Sequence, residues 1–256
     1  INIYDEGERA YNTTYKYHLA EFGFSDVWYK NLRFGLGLRF EYYKYKDFLF
    51  KKPELTGLDV ESEHFLSYFA QVYYSTFDKG YFPSKGTEFK AAYSLYTDNM
   101  AQYNDHAPFS ALSGSWASVV PVTRRFSIIP SIYGRVLIGK DIAYPLQNAI
   151  GGEVYGLYIP QQLPFAGVTN MELMDNSIMI ASVKLRQRMG SIHYLTLTGN
   201  YGLTDSHFFE ILKGKQLFGI SAGYGMDSMF GPLEITFGYS NQTDKGSCYV
   251  NLGYYF

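Results

Sequence analysis

The feature that most limits what this chain can become is a strict alternation of apolar with polar or small residues, repeated along most of its length. Successive side chains of a β-strand point to opposite faces, so a sheet with one face in hydrocarbon and one in water needs an apolar residue at every second position. Leu32, Phe34, Leu36, Leu38, Phe40 and Tyr42 meet this condition, separated by Arg33, Gly35, Gly37, Arg39 and Glu41. The pattern recurs at Leu66, Tyr68, Ala70, Val72 and Tyr74, and at Phe89, Ala91, Tyr93 and Leu95 against Glu88, Lys90 and Ser94. Met179, Ala181, Val183 and Leu185 alternate with Ser182, Lys184 and Arg186, and Leu233, Ile235, Phe237 and Tyr239 with Glu234, Thr236, Gly238 and Ser240. Near the start, the same reading puts Tyr11, Thr13, Tyr15, Tyr17 and Leu19 on the apolar face and Asn12, Thr14, Lys16 and His18 on the polar one. With further strands at about 111–121, 125–138, 192–202, 217–227 and 247–256, the count is about eleven, and Ile1 to Tyr4 reads as the tail of a twelfth. Strands of ~9–15 residues are long enough to cross a tilted path through a bilayer.

Alternation does not say which face is wet, because a soluble barrel alternates too. Connection lengths separate the two. Short links (about 23–30, 78–86, 122–124, 189–191 and 228–231) alternate with mostly longer ones (about 47–61, 98–108, 139–176, 203–216 and 241–246), the outer-membrane pattern of tight periplasmic turns and long surface loops. Composition agrees: 26 Tyr and 20 Phe make the chain 19% aromatic while 18% is charged, too aromatic for an ordinary soluble domain. Aromatic residues at strand ends, as in Glu41-Tyr42-Tyr43-Lys44-Tyr45, suit an interfacial girdle. No window approaches the ~20 apolar residues of a membrane helix. The expectation is an all-β fold, a transmembrane antiparallel β-barrel of about 11–12 strands over residues 1–256, in the outer membrane with the lipid bilayer as its first partner.

Several classes fall away. A net charge of −2 gives no basic surface for nucleic acid. Cys248 has no partner for a disulfide or a zinc site, and His18, His64, His106, His193 and His207 are scattered, so no metal and no cofactor are expected. Asp59, Glu61 and Glu63 read as a solvated loop rather than a calcium site. Ser113-Gly114-Ser115-Trp116-Ala117 lacks the Gly-x-Ser-x-Gly elbow and lies in a strand, and no His-x-Ser occurs; no catalytic residue is expected and the barrel itself reads as no enzyme. The N-terminus shows no basic stretch before an apolar core, so a signal peptide is expected to be removed or to lie outside this piece.

Parity assigns Arg33, Arg39, Glu41, Arg135, Lys184, Arg186, Arg188 and Glu234 to the interior, with Lys16, Lys90 and Glu88. A hydrated wall of paired charges, an anion-selective channel and a docking wall for a plug all remain open. The connection from about 140 to 175 is too long for a simple turn. Its Gly151-Gly152 pair permits close backbone approach, and its apolar residues suit a protein interior better than water. The expectation is that it folds inward, carrying Gly151, Gly152, Glu153 and Gly156, with Glu153 bridged to a wall arginine, Arg186 first.

Family motifs enter on particular strings. Tyr249-Val250-Asn251-Leu252-Gly253-Tyr254-Tyr255-Phe256 resembles the closing strand read by the outer-membrane assembly machinery and the ends of barrels in the BamA-like (bacterial surface antigen) superfamily. Asp78-Lys79-Gly80-Tyr81-Phe82-Pro83-Ser84-Lys85-Gly86 resembles that family's periplasmic turn, and Ala222-Gly223-Tyr224-Gly225 with Phe230-Gly231-Pro232-Leu233 its Gly-rich hairpin. Ile150-Gly151-Gly152-Glu153 through Gln161-Gln162-Leu163-Pro164-Phe165-Ala166-Gly167 is similar to the barrel fused to patatin-like phospholipase domains, common in Bacteroidetes. The family loop usually carries Val-Arg-Gly and an aromatic, whereas here it reads Val154-Tyr155-Gly156-Leu157. The resemblance implies a sixteen-stranded barrel of which this chain is a part, with Asn251, Gly253, Tyr254 and Phe256 in the assembly signal. It implies a translocator or anchor role beside a patatin-like lipid hydrolase; a passive pore for small solutes is the alternative and a protein insertase the third reading. A homodimer and a periplasmic or surface partner are left open.

Overall fold

The computed structural model describes residues 2–5, 8–28, 30–49, 63–99, 102–103, 107–156, 158–242 and 246–253, with side chains in all of these but 2–11, 25–28 and 47–49. The first half of the chain supplies β1 (Asn2–Asp5), β2 (Glu8–Trp28), β3 (Leu32–Leu49), β4 (Glu63–Ser75), β5 (Gly86–Thr97), β6 (Phe109–Pro121) and β7 (Phe126–Ile138). Three short strands follow, β8 (Asn148–Ile150), β9 (Gln162–Leu163) and β10 (Leu173–Asp175). The last five are β11 (Ser177–Met189), β12 (His193–Asp205), β13 (Lys215–Ser228), β14 (Gly231–Ser240) and β15 (Gly246–Leu252). Twelve strands form one antiparallel sheet in the order β1-β2-β3-β4-β5-β6-β7-β11-β12-β13-β14-β15, so each strand pairs with the next along the chain except β7, which pairs with β11 across the β8–β10 connection. β8, β9 and β10 form a separate small sheet inside the β7–β11 connection.

Register fixes the faces. Arg39 stands opposite Glu21 and Ser67, Phe237 opposite Ala222 and Cys248, and Val183 opposite Pro130 and Gly199. One face carries Phe34, Leu36, Phe40, Ile132, Val183, Leu197, Ile220 and Phe237, all exposed, with Phe237 at 63%. A continuous apolar band on this scale would be an aggregation liability in water and is a lipid surface in a membrane. Cys248 lies on this outer face of β15.

The reading of β2 is corrected. Thr13 is 1% exposed, and Tyr15 and Tyr17 pair with Tyr45 and Tyr43 on the inner face, so Lys16 and His18 point outward. The physical reason is that the long-loop end of the interior is a packed aromatic cluster rather than a wet space. Tyr43, Tyr45, Phe65, Tyr96, Tyr103 and Phe109 are its buried members, with Tyr15 and Tyr17 against it. Tyr96 stacks on Phe109 at 4.8 Å between centroids, and Tyr103 meets Phe109 edge-on at 4.8 Å. Such pairs add about 0.5–1.5 kcal/mol each beyond burial. Tyr43 and Tyr45 therefore belong to this cluster, and of the three tyrosines in the Glu41–Tyr45 string only Tyr42 faces out.

β2 runs to Trp28 and β3 starts at Leu32, so the short link expected at about 23–30 is shorter still and begins later in the chain. β1 supplies the twelfth strand, pairing with β2 from Asn2↔Asn12 to Asp5↔Glu8. Among the described residues no pairing joins β15 to the β1–β2 edge.

Candidate functional site

The β7–β11 connection folds against the inner face, and its contacts reach strands on both sides of the sheet. Gln161 Nε2 donates to Tyr43 Oη of β3 at 2.7 Å, and Tyr133 Oη of β7 donates to the Pro164 carbonyl at 2.8 Å. The Ala166 amide donates to Asn200 Oδ1 of β12 at 2.9 Å, and Tyr249 Oη of β15 donates to the Val168 carbonyl at 2.8 Å. One loop touching β3, β7, β12 and β15 requires that the sheet wrap around it.

Glycines make the approach close. A Cβ on Gly219 would overlap the Ala166 carbonyl oxygen, one on Gly238 would sit 2.6 Å from the Gly167 nitrogen, and one on Gly202 would sit 2.9 Å from the Phe165 ring. Gly167 itself has φ +81°, and a side chain there would overlap the Tyr239 backbone. Backbone thus lies on backbone across β12, β13 and β14, in a cradle that any larger residue would fill. Within the loop, Gly151 (φ +129°) and Gly152 (φ +81°) take left-handed conformations, and a Cβ on either would overlap Thr169 or Asn170. Phe165, Ile150, Val168, Ile178, Ile180 and Leu217 bury together behind them.

Glu153 comes to rest beside Lys184, with Glu234, Ser221 and Thr236 also facing it, and its Oε1 has no hydrogen-bond partner. Burial pushes its carboxyl above the ordinary range, Lys184 opposing and Glu234 reinforcing the shift. The expected bridge to Arg186 does not form. Arg186 stands one pleat repeat, about 6.8 Å, nearer the short-turn end, where its guanidinium donates to the Pro83 carbonyl and lies 5.7 Å from the Tyr194 ring centre. Gly156 (φ +62°) and Tyr155 are exposed, the Tyr155 ring meeting Tyr133 edge-on at 5.2 Å.

The short turn between β4 and β5 inserts from the opposite end. Phe82 is 7% exposed and stacks on Tyr194 at 4.3 Å, in space left by Gly225, whose Cβ would sit 2.7 Å from the Phe82 ring. Asp78 holds the turn by accepting from the Ser84 amide at 2.7 Å and from the Ser84 hydroxyl. Slight burial raises its carboxyl, but these hydrogen bonds outweigh it and keep the group below the ordinary range.

The remaining expected wall residues fall as follows. Arg39 pairs with Glu21 at 2.6 Å. Arg135 donates to Asn148 Oδ1 at 2.6 Å and to the Leu146 carbonyl at 2.8 Å, which ties β7 to the loop. Glu41, 2% exposed, accepts from Tyr17 and Tyr43 at 2.9 Å each. Arg188 is exposed at the short-turn rim and donates to the Arg124 carbonyl at 3.3 Å. Arg33 lies 5.8 Å from the Tyr73 ring centre. Arg33, Arg39, Glu41 and Arg135 line a cavity of about 990 Å³ on the β3–β7 side. Asn251 and Gly253 end the described chain, and Tyr254 and Phe256 lie outside the described residues. One grouping escaped the sequence reading: ligand atoms of Asp205, His207 and Glu210 lie within 4.8 Å of one another on the β12–β13 loop. They are mostly exposed, as ordinary solvated groups are.

A model described as the OMP85 superfamily matches residues 4–256. Among solved structures, BamA from Haemophilus ducreyi lacking POTRA domains 1-3 is similar, with a TM-score of 0.63 and 12% identity over 98% of this chain and 55% of that one. This chain therefore spans about half the length of that relative. No curated protein matches.

Proposed function

Since the chain belongs to the OMP85 superfamily and forms an outer-membrane β-barrel domain, we propose that it is the translocator or anchor of a larger protein, fused to a patatin-like lipid hydrolase. The observation that carries this reading is the fastening of the inward loop to the glycine cradle, which fills the β11–β15 side of the interior. An anchor has no need of a permanently open path. A loop held this way can be displaced only by breaking several contacts together. The hydrolase half rests on the likeness of Ile150 through Gly167 to patatin-linked barrels, and a Gly-x-Ser-x-Gly elbow in an upstream domain of the full gene is its test.

Conductance across planar bilayers tests the first half. The anchor reading predicts no large steady current; such a current would support a passive pore instead, a reading favoured by the cavity of about 990 Å³. An insertase requires its first and last strands to part. Tyr155, where the family loop usually has arginine, counts against that activity, and a crosslink between those strands that stopped insertion would restore it. The C-terminal run ending at Phe256 is proposed as the signal that the assembly machinery reads, so deleting Phe256 should lower the amount assembled in the membrane.

A further inference from the structure

The outer face changes character at one place. On β3 the outward positions are apolar or aromatic from Leu32 to Tyr42, with Ala20, Phe22 and Phe24 beside them on β2. That run rises about 34 Å along the strand, or about 26 Å along the membrane normal at a tilt of about 40°, which is the height of the apolar band of an outer-membrane barrel. Tyr42 and His18, with ring centres 6.0 Å apart, form its rim at the long-loop end. Long loops face the outside of the cell, so what lies beyond this rim meets the headgroups of the outer leaflet.

Three lysines lie there. Lys16 stands directly opposite Lys44, and Lys46 follows one pleat repeat further on, opposite Thr14. Lys16 and Lys46 are exposed and Lys44 is half-buried. Residues directly opposite across an antiparallel pair have Cβ atoms about 4.5–5.5 Å apart, diagonal neighbours lie within about 8 Å, and like charges so placed destabilise the pair. Among the described residues no carboxylate pairs with any of the three. The rest of that end is not built this way: the outward pairs Ser110–Ile138 on β6 and β7 and Leu203–Gln216 on β12 and β13 are neutral. Clustered cations at a membrane boundary attract the anionic groups of lipids. Three ammonium groups so close together exceed what the single charge of a phospholipid phosphodiester neutralises, and they match a headgroup that carries two phosphates.

We propose that the outward face of β2 and β3 binds a bisphosphorylated glycolipid of the outer leaflet, of the lipid A class, with its phosphates on Lys16, Lys44 and Lys46. Its acyl chains run down over Phe22 and Phe24, which are 80% and 79% exposed. The site rests on the orientation of the barrel in the membrane and not on the anchor reading. Native mass spectrometry of the full chain in neutral detergent tests it, by titration with bisphosphoryl lipid A, monophosphoryl lipid A and phosphatidylglycerol, and with inorganic phosphate as competitor. One bisphosphoryl lipid A per chain is expected to bind saturably, the monophosphoryl form more weakly and phosphatidylglycerol more weakly again. Replacing all three residues, by Lys16→Gln, Lys44→Gln and Lys46→Gln, should weaken it about a hundredfold, since each lysine at an anionic lipid surface contributes about fivefold. Lys44→Glu alone gives Lys16 an opposite charge across the strands, so it favours the fold while weakening binding about tenfold or more. Replacing Lys140, Lys213 and Lys215, exposed at the same end, by glutamine should leave the affinity unchanged. No saturable binding, equal binding of phosphatidylglycerol, displacement by millimolar inorganic phosphate, or the same affinity in the two triple variants would overturn the proposal.

Discussion

The β11–β15 side and the β3–β7 side of the sheet share one alternation rule and one lipid face, yet they treat the interior in opposite ways. On β12, β13 and β14 the inward positions include Gly202, Gly219 and Gly238, and loop backbone occupies the room they leave. On β3 to β5 the inward positions carry Arg33, Arg39, Tyr73 and Lys90, long side chains engaged within the wall, and a cavity of about 990 Å³ remains between them and the loop, which β7 holds through Arg135. The difference teaches that a barrel interior is specified by side-chain size at inward positions more than by polarity. Small residues admit a plug; long paired ones hold a cavity open.

The largest expected effect is at the floor of the filled side. Phe82→Ala removes a buried ring stacked on Tyr194 and should cost about 3–5 kcal/mol, whereas Gln71→Ala in the cavity should change stability by less than about 0.5 kcal/mol. Urea unfolding followed by loss of the heat-modifiable gel band measures both, and equal costs would break the comparison. Next comes the cradle. Gly219→Ala sets a methyl group against the rigid Ala166 carbonyl and should cost about 1–3 kcal/mol. Gly35→Ala meets only the flexible Gln71 side chain, Nε2 at 3.1 Å and Cγ at 3.2 Å, which can move aside, and should cost less than Gly219→Ala in the same unfolding assay.

Glu153 sharpens the comparison by pH. Burial raises its carboxyl in the folded state, so its contribution to loop docking is full below the ordinary glutamate pKa of about 4.3 and is lost as pH rises through the raised value. The melting temperature should therefore fall across that window as pH rises, and Glu153→Gln should remove this part of the dependence. An unchanged profile in the variant would show that Glu153 is not buried against Lys184. The smallest effect expected on the filled side is that of Tyr249→Phe, which removes one hydrogen bond from β15 to the loop and should cost about 1 kcal/mol in the same unfolding assay.

Much of this was legible in advance, for identifiable reasons. The alternation at Leu32–Tyr42 and Leu233–Ser240 fixed the faces of those strands because one side must meet hydrocarbon whatever the interior does. It failed at Tyr15 and Tyr17, because tyrosine suits both lipid and a packed interior, and only the partners Tyr43 and Tyr45 show which applies. The glycines of the loop announced close approach, but the glycines of the wall read merely as small residues in strands. Which basic residue would face Glu153 depended on a one-repeat offset along β11, which parity cannot resolve: Lys184 and Arg186 share a face and differ in height. The Glu41–Tyr43–Gln161 meeting joins residues 118 apart in sequence and left no local signal.

The central claim is that the loop lies on the inner wall of the filled side, and a crosslink tests it most directly. In a Cys248→Ser background, Ala166→Cys and Asn200→Cys place two thiols where the Ala166 amide now meets the Asn200 side chain at 2.9 Å. In intact outer membranes under mild oxidation, the account predicts nearly complete disulfide formation between positions 166 and 200, with little labelling by a membrane-impermeant maleimide. A pair that stays reduced, with position 166 labelled rapidly from outside the cell, would put the loop in the extracellular space and contradict the account.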